Sequence, residues 1–215
     1  MPSSMVHLMA AYAYNPAAPA EFWVGNIAPD SISDWKEKDI FHLRNATEKE
    51  QAFSDLAHAT DSNDLFAEGM LLHLFVDWKW DESLLQQFKA SCDSDRWYLP
   101  YRTEMGLLSA RLYHDNFWSA DVWGKMLACD IAKYNQTQNI SNENIVATLK
   151  RANNYHVSNP LAKPGFYSVG VVNEFVVGVV EEYRCWRGAL NRLRIAIADA
   201  NAGINMTEHE LIDVD

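Results

Sequence analysis

His73 and Asp77 stand four residues apart in Gly69-Met70-Leu71-Leu72-His73-Leu74-Phe75-Val76-Asp77-Trp78, a stretch that is otherwise almost wholly apolar. On a helix, residues four apart lie on one face, so this imidazole and this carboxylate can address a single cation. A carboxylate among apolar side chains must be paired, protonated or bound to metal. On this pair alone, a His–Asp hydrogen bond that ties the core together and a metal site are equally good readings. Three further groups shift the balance: His7 between Val6 and Leu8, Asp30 after Pro29, and His42 in Ile40-Phe41-His42. Neutral imidazoles and carboxylates are ordinary zinc ligands, four of them closing a structural shell and three leaving an open catalytic position. A single histidine on an apolar face is more often a satisfied core residue, so the expectation of a metal centre rests on the set His7, Asp30, His42, His73 and Asp77.

Helices have to bring these five together. Met5 to Tyr14 predicts a first helix, stopped by Asn15-Pro16 and Pro19. Glu21 to Ile27 is a short apolar segment running into Ala28-Pro29-Asp30-Ser31, and the bias of Ala28 before proline places Asp30 on an ordered turn. Thr47-Glu48-Lys49-Glu50 has the form of a capping box, and Asp61 to Asp64 supplies a stop and the next cap. The helix predicted over 65–78 is apolar around most of its axis, the mark of a central helix covered by others. Asp81 to Lys89 and Thr103 to Trp123 continue in helical patterns, Asn135 to Asn144 is a polar connection, and Asn153 to Gly165 is the longest irregular stretch. A closing helix spans Val169 to Ala202, with a strand as the rival for the valine-rich 169–180. The expectation is an all-α, compact multi-helix single domain over residues 1–204, followed by a flexible acidic tail over 205–215.

Composition narrows the function classes. With 215 residues, 48% hydrophobic, the chain can bury a substantial core as one domain. Nothing approaches the roughly 18 consecutive apolar residues of a membrane span. Met1 to Ala20 lacks a basic start and carries His7 and two tyrosines, so it reads poorly as a signal peptide and a cytoplasmic location is expected. Cys92, Cys129 and Cys185 are odd in number and widely spaced, and are expected reduced and mostly packed. A net charge of -11 argues against a non-specific nucleic-acid binder. The one basic cluster, Arg184, Arg187, Arg192 and Arg194, reads as a solvated helix face. An acidic protein can still take an anionic substrate where metal cations dominate the local charge.

Val6-His7-Leu8, Gly25-Asn26-Ile27-Ala28-Pro29-Asp30-Ser31, Asp39-Ile40-Phe41-His42 and Gly69 to Trp78 resemble, in order and rough spacing, the zinc-dependent phospholipase C family, closest to its small intracellular bacterial members. The specific part covers about the first eighty residues; beyond it only Asp95-Arg96-Trp97-Tyr98 and a long closing helix are similar. The resemblance implies the all-α phospholipase C / P1 nuclease fold and a multi-zinc site hydrolysing phosphodiesters or phosphomonoesters, with a small phosphoester or phospholipid-like substrate. By that pattern Asp30, His42, His73 and Asp77 hold one zinc and His7 joins Asp77 at another. Asp30 is the catalytic candidate, as ligand, general base or both. Trp23, Trp35, Trp78 and Trp80 are candidates for an acyl or ring pocket. Two departures follow. Secreted members use a mature N-terminal amino group as a ligand, whereas Met1 to Val6 precede His7 here; and no later His-x-x-x-Glu spacing appears, so the zinc count stays between one and three.

Two rivals are open at this stage. An HD-type phosphohydrolase would use His114-Asp115 with His73 upstream and Asp130 downstream. A helical scaffold or binding protein would hold a closed, purely structural metal shell.

Overall fold

Eleven α-helices and one 3-10 turn account for the described residues, with no strand among them. The structure is a computed structural model describing residues 1–61, 63–92, 96–137 and 140–210, with side chains to residue 192. In chain order the helices are α1 (Ser4–Tyr14), α2 (Ala20–Ile27), then the 3-10 turn Ala28–Ser31, α3 (Trp35–Phe41), α4 (Lys49–Ala59), α5 (Leu65–Glu82), α6 (Leu84–Ala90), α7 (Tyr98–Asp115), α8 (Ser119–Leu127), α9 (Ile131–Tyr134), α10 (Asn142–Ser158) and α11 (Val169–Glu210). The chain divides into two units, 1–180 and 181–215, and the described part of the second, 181–210, is helical. No helix of the described residues is long and apolar enough to cross a membrane.

The first unit is organised around α5. Leu71, Leu72, Phe75, Val76 and Trp80 are all essentially inaccessible, as expected for a helix apolar all round. Asp64 caps its start by accepting a hydrogen bond from the Ala67 amide. Its main partner is α2, and two glycines allow the close approach. A Cβ built on Gly25 would fall onto the Phe66 carbonyl, and one built on Gly69 onto the Phe22 carbonyl. Asn26 seals the crossing by donating its side-chain amide to the Gly69 carbonyl. Because the obstructing atoms are backbone, Gly69→Ala is expected to destabilise the fold by about 3 kcal/mol, read as a lower denaturant midpoint at unchanged slope. A midpoint equal to the parent's would contradict the close crossing.

Several boundaries depart from the sequence expectations. The N-cap of α4 is Glu48, without a side-chain capping bond, in place of the box expected from Thr47. The stretch 103–123 is two helices, parted where the Asn116 side-chain amide donates to the Leu112 carbonyl and ends α7. Residues 153–158 are helical rather than irregular: the weak helix formers of α10 are carried by one buried face, Ile145, Leu149 and His156. Likewise 169–180 is helix and not strand, since Val172, Val176, Val179 and Val180 are buried at three- and four-residue spacings. The helix α11 takes in the start of the expected tail, and 211–215 lie outside the described residues. In the second unit Arg187 is buried rather than solvated, Arg184 and Arg192 are exposed, and the side chain of Arg194 lies outside the description. Cys92 and Cys129 are half-buried and Cys185 is exposed.

Two buried polar groups on α7 and α10 hold this half of the unit. Glu104 accepts the backbone amides of Gly165, Phe166 and Tyr167, fixing the loop that leads into α11. His156 places Nε2 2.8 Å from the Ser109 hydroxyl, between the rings of Tyr113 and Trp123. Burial, and then the charge of His114, push its pKa down to about 4. The folded state therefore binds that proton less readily than the unfolded chain. Stability from this group is full above about pH 6.5 and lost as pH falls towards 4, a total of about 3 kcal/mol. His156→Gln is expected to flatten the pH dependence of the unfolding midpoint across this window; an unchanged slope would contradict the assignment.

Candidate metal centre

Three elements deliver the acceptor atoms. His73 and Asp77 project from α5; His7, from α1, stacks its ring on that of His73 with centroids 3.7 Å apart; and His42 stands at the C-terminus of α3. Asp34 caps α3 by accepting the amides of Lys36 and Glu37. The helix then ends in a Schellman motif: the Leu43 amide bonds to the Ile40 carbonyl and the Arg44 amide to the Asp39 carbonyl. Glycine is usual at the left-handed position of this motif, yet here it is Leu43, at φ 53°. The strain is worth about 1 kcal/mol. It lies between His42 and Arg44, the two residues that the turn delivers to Asp77.

Hydrogen bonding fixes the chemistry of the imidazoles. His42 Nδ1 lies 2.7 Å from the Lys38 carbonyl and His73 Nδ1 lies 2.7 Å from the Asn26 carbonyl. A carbonyl only accepts, so both Nδ1 atoms carry the proton and donate it. Burial, together with the neighbouring His7, depresses the His73 pKa to about 3, and burial depresses His42 as well. Both rings are therefore neutral near pH 7, and both Nε2 atoms present lone pairs. These two lone pairs stand 3.3 Å apart, with Asp77 Oδ2 3.3 Å from His42 Nε2 and 3.7 Å from His73 Nε2. Ligand bonds of about 2.0–2.1 Å put the edge of a tetrahedral zinc shell at about 3.3 Å. Three acceptors held in this way repel one another unless a cation sits among them. Asp77 is 2% exposed, and neither carboxylate oxygen makes a hydrogen bond. Although burial alone would raise its pKa, the surrounding imidazoles hold it well below the carboxylate range, so it is anionic.

His7 and Asp30 form the flank. Neither nitrogen of His7 makes a hydrogen bond, and its Nε2 is 3.3 Å from Asp77 Oδ1. Asp30 sits on the 3-10 turn with its Oδ1 2.9 Å from the Lys38 ammonium. Burial raises the Asp30 pKa, but Lys38 and the flanking imidazoles outweigh it and hold the group far down as an anion. The five residues fall into two groups that share His73: His42, His73 and Asp77, and His7, Asp30 and His73. Asp30 thus does not join His42, His73 and Asp77 in the single shell that the resemblance implies. His73 has one free nitrogen, so an ion seated in the first group leaves His7, Asp30 and Asp77 Oδ1 beside it.

Lys38 and Arg44 are functional candidates that the sequence reading passed over. Arg44 pairs with Asp39 at 2.7 Å and lies 3.7 Å from Asp77 and 3.8 Å from Asp81. The i−4 spacing of Lys38 from His42 was the available signal, since it puts both on one face of α3. Both line, with Asp30, a cleft of about 800 Å³. None of the four tryptophans expected in a substrate pocket lines it: Trp23 and Trp80 are buried, Trp35 is exposed, and Trp78 packs on Phe53 and Phe75. Trp97, Tyr98, Tyr101 and Tyr155 line it instead. The HD set is not gathered either, since His114 bonds to the His156 carbonyl, Asp115 pairs with Arg111 and Asp130 is exposed ahead of α9. No protein-family model, no curated protein and no solved structure matches this chain.

Proposed function

We propose that this protein is a zinc-dependent hydrolase of phosphoesters, phospholipase C-like in its chemistry and acting in the cytoplasm. The observation that carries the reading is the trio of unprotonated acceptors, His42 Nε2, His73 Nε2 and Asp77 Oδ2, at tetrahedral-edge spacing beside a cleft lined by cations. His42, His73 and Asp77 would hold the ion, a three-ligand set that leaves a position open. When bound there, zinc supplies Lewis acidity towards a phosphoryl oxygen and brings the pKa of a water to roughly 7.

The chain's own residues do the rest. The two carbonyl-bound Nδ1–H groups hold both rings in the ligating tautomer and orientation. Asp30, anionic throughout the neutral range, accepts a hydrogen bond from the attacking water and orients it; so acidic a carboxyl is a poor proton acceptor, which favours positioning over general-base work. Lys38 and Arg44 carry fixed positive charge into the cleft where phosphoryl oxygens gain negative charge.

The test combines elemental analysis of protein purified without added metal with assays on p-nitrophenyl phosphate and bis-p-nitrophenyl phosphate. Near-stoichiometric zinc and turnover of at least one ester are expected. Asp30→Asn should lower kcat by about 100-fold while zinc content holds. Zinc without turnover would reduce the centre to a structural staple, and absence of both would overturn the reading.

A further inference from the structure

The cleft carries more positive charge than the metal centre uses. Among the described residues, Lys38, Arg44, Lys89, Arg102 and Arg151 line it against two carboxylates, Asp30 and Asp81, in a protein of net charge -11. Both carboxylates are engaged: Asp30 with Lys38, and Asp81 with Arg44 and the Met1 amino group at 3.1 Å. Lys89, Arg102 and Arg151, on α6, α7 and α10, have no carboxylate partner among the described residues. Their positions are set by other contacts. The Lys89 ammonium lies over the Trp97 ring at 4.5 Å, Arg102 bonds to the Tyr98 hydroxyl at 3.3 Å, and Arg151 bonds to Thr148 Oγ1 at 3.2 Å. Cations held by rings and hydroxyls keep their full charge available to a ligand.

A second observation comes from the cleft's neutral lining. The buried hydroxyl of Tyr101 is committed, accepting from Trp80 Nε1 and donating to the Met1 carbonyl. Burial holds its pKa far above the usual phenol range, so it adds no negative charge. Among the described residues, the Trp97 and Tyr98 rings are already faced by Lys89 and Arg102, and both lining carboxylates are paired, which disfavours a quaternary ammonium.

We propose that Lys89, Arg102 and Arg151 form an anion subsite, so that the cleft takes an ester carrying a second negatively charged group next to an aromatic or acyl body, and rejects cationic headgroups. That the ligand is a substrate rests on the hydrolase reading above; its binding does not, and the experiment separates the two. The probes are 4-nitrobenzenesulfonate, whose sulfonate binds metals weakly and whose ring quenches tryptophan, and the cationic 4-nitrobenzyltrimethylammonium. Tryptophan quenching is followed on the intact chain, with and without zinc, and on His42→Ala.

The sulfonate is expected to bind at least tenfold more tightly than the ammonium probe, and His42→Ala to keep this preference. Lys89→Gln with Arg102→Gln should abolish it at an unchanged thermal midpoint, and Arg102→Lys should restore most of it. Equal affinity for the two probes, or a preference that survives the double replacement, would overturn the subsite. Salt-sensitive sedimentation with phosphatidylglycerol vesicles, lost in the double variant, would assign the anion to a lipid headgroup. Sulfonate binding without sedimentation would assign it to a soluble ester.

Discussion

Replacing His42 by alanine is expected to take zinc content from near one equivalent to below about a tenth, and phosphoester turnover down by at least about 1000-fold. His42 is the informative ligand because it is carried by the end of α3, a helix that buries none of its own residues, and not by the central helix, although its side chain is itself inaccessible. His73 is inaccessible as well, but it sits in the middle of α5 among the apolar side chains of the core, where a cavity adds to the loss of the ligand. In the absence of metal the same replacement should leave the unfolding midpoint unchanged or slightly higher, because it removes one of three acceptors that repel each other. This opposite sign in loaded and metal-free protein distinguishes a ligand from a core histidine. A variant that retains full zinc would show that the acceptor trio is not the site.

Chelation should have the second large effect. An ion that binds only the folded chain stabilises it by about 4 kcal/mol when free metal is a thousand times its Kd, which for a chain of this size is roughly 10 °C in Tm. Dialysis against a chelator is therefore expected to lower Tm by about that amount, with recovery on adding zinc. The physical origin is the apposition of His42 Nε2, His73 Nε2 and Asp77 Oδ2, with Asp77 fully buried and making no hydrogen bond of its own. Asp77→Asn should lose the response to zinc, and its metal-free form should unfold no earlier than the metal-free parent. A parent Tm indifferent to chelator would mean that the buried carboxylate is compensated by His7 and Arg44 alone.

The legible part of this site was its α5 component. An i,i+4 His and Asp inside an apolar helix had to share a face and had to be compensated, whatever the rest of the chain did. The convergence of His7, Asp30 and His42 on it was suggested by residue type and by resemblance, not by any periodicity. Their grouping was not legible: Asp30 turns to Lys38, a contact between the 3-10 turn and α3 that depends on how these two segments pack, and Leu43 gives no hint of a left-handed position that glycine normally marks. The Gly25 and Gly69 crossing was hidden for a similar reason, since close backbone approach depends on two distant segments.

In the fold, long apolar helices were readable and weak ones were not. The helix α10 has low intrinsic propensity, and its burial against other helices decides its state. The tryptophans that neighbour the ligands in sequence do not line the cleft, because nearness along the chain is not nearness in space, whereas Trp97 reaches the cleft from the chain leading into α7. Charge gave a similar lesson: the whole-chain value of -11 concealed a cleft in which, among the described residues, five basic side chains face two carboxylates.

The most direct measurement of the central claim is zinc K-edge X-ray absorption on protein loaded with one equivalent of metal. The account predicts a four-coordinate shell with two imidazole nitrogens and the remaining positions oxygen, at about 2.0–2.1 Å. A six-coordinate all-oxygen shell, or one without imidazole scattering, would contradict it.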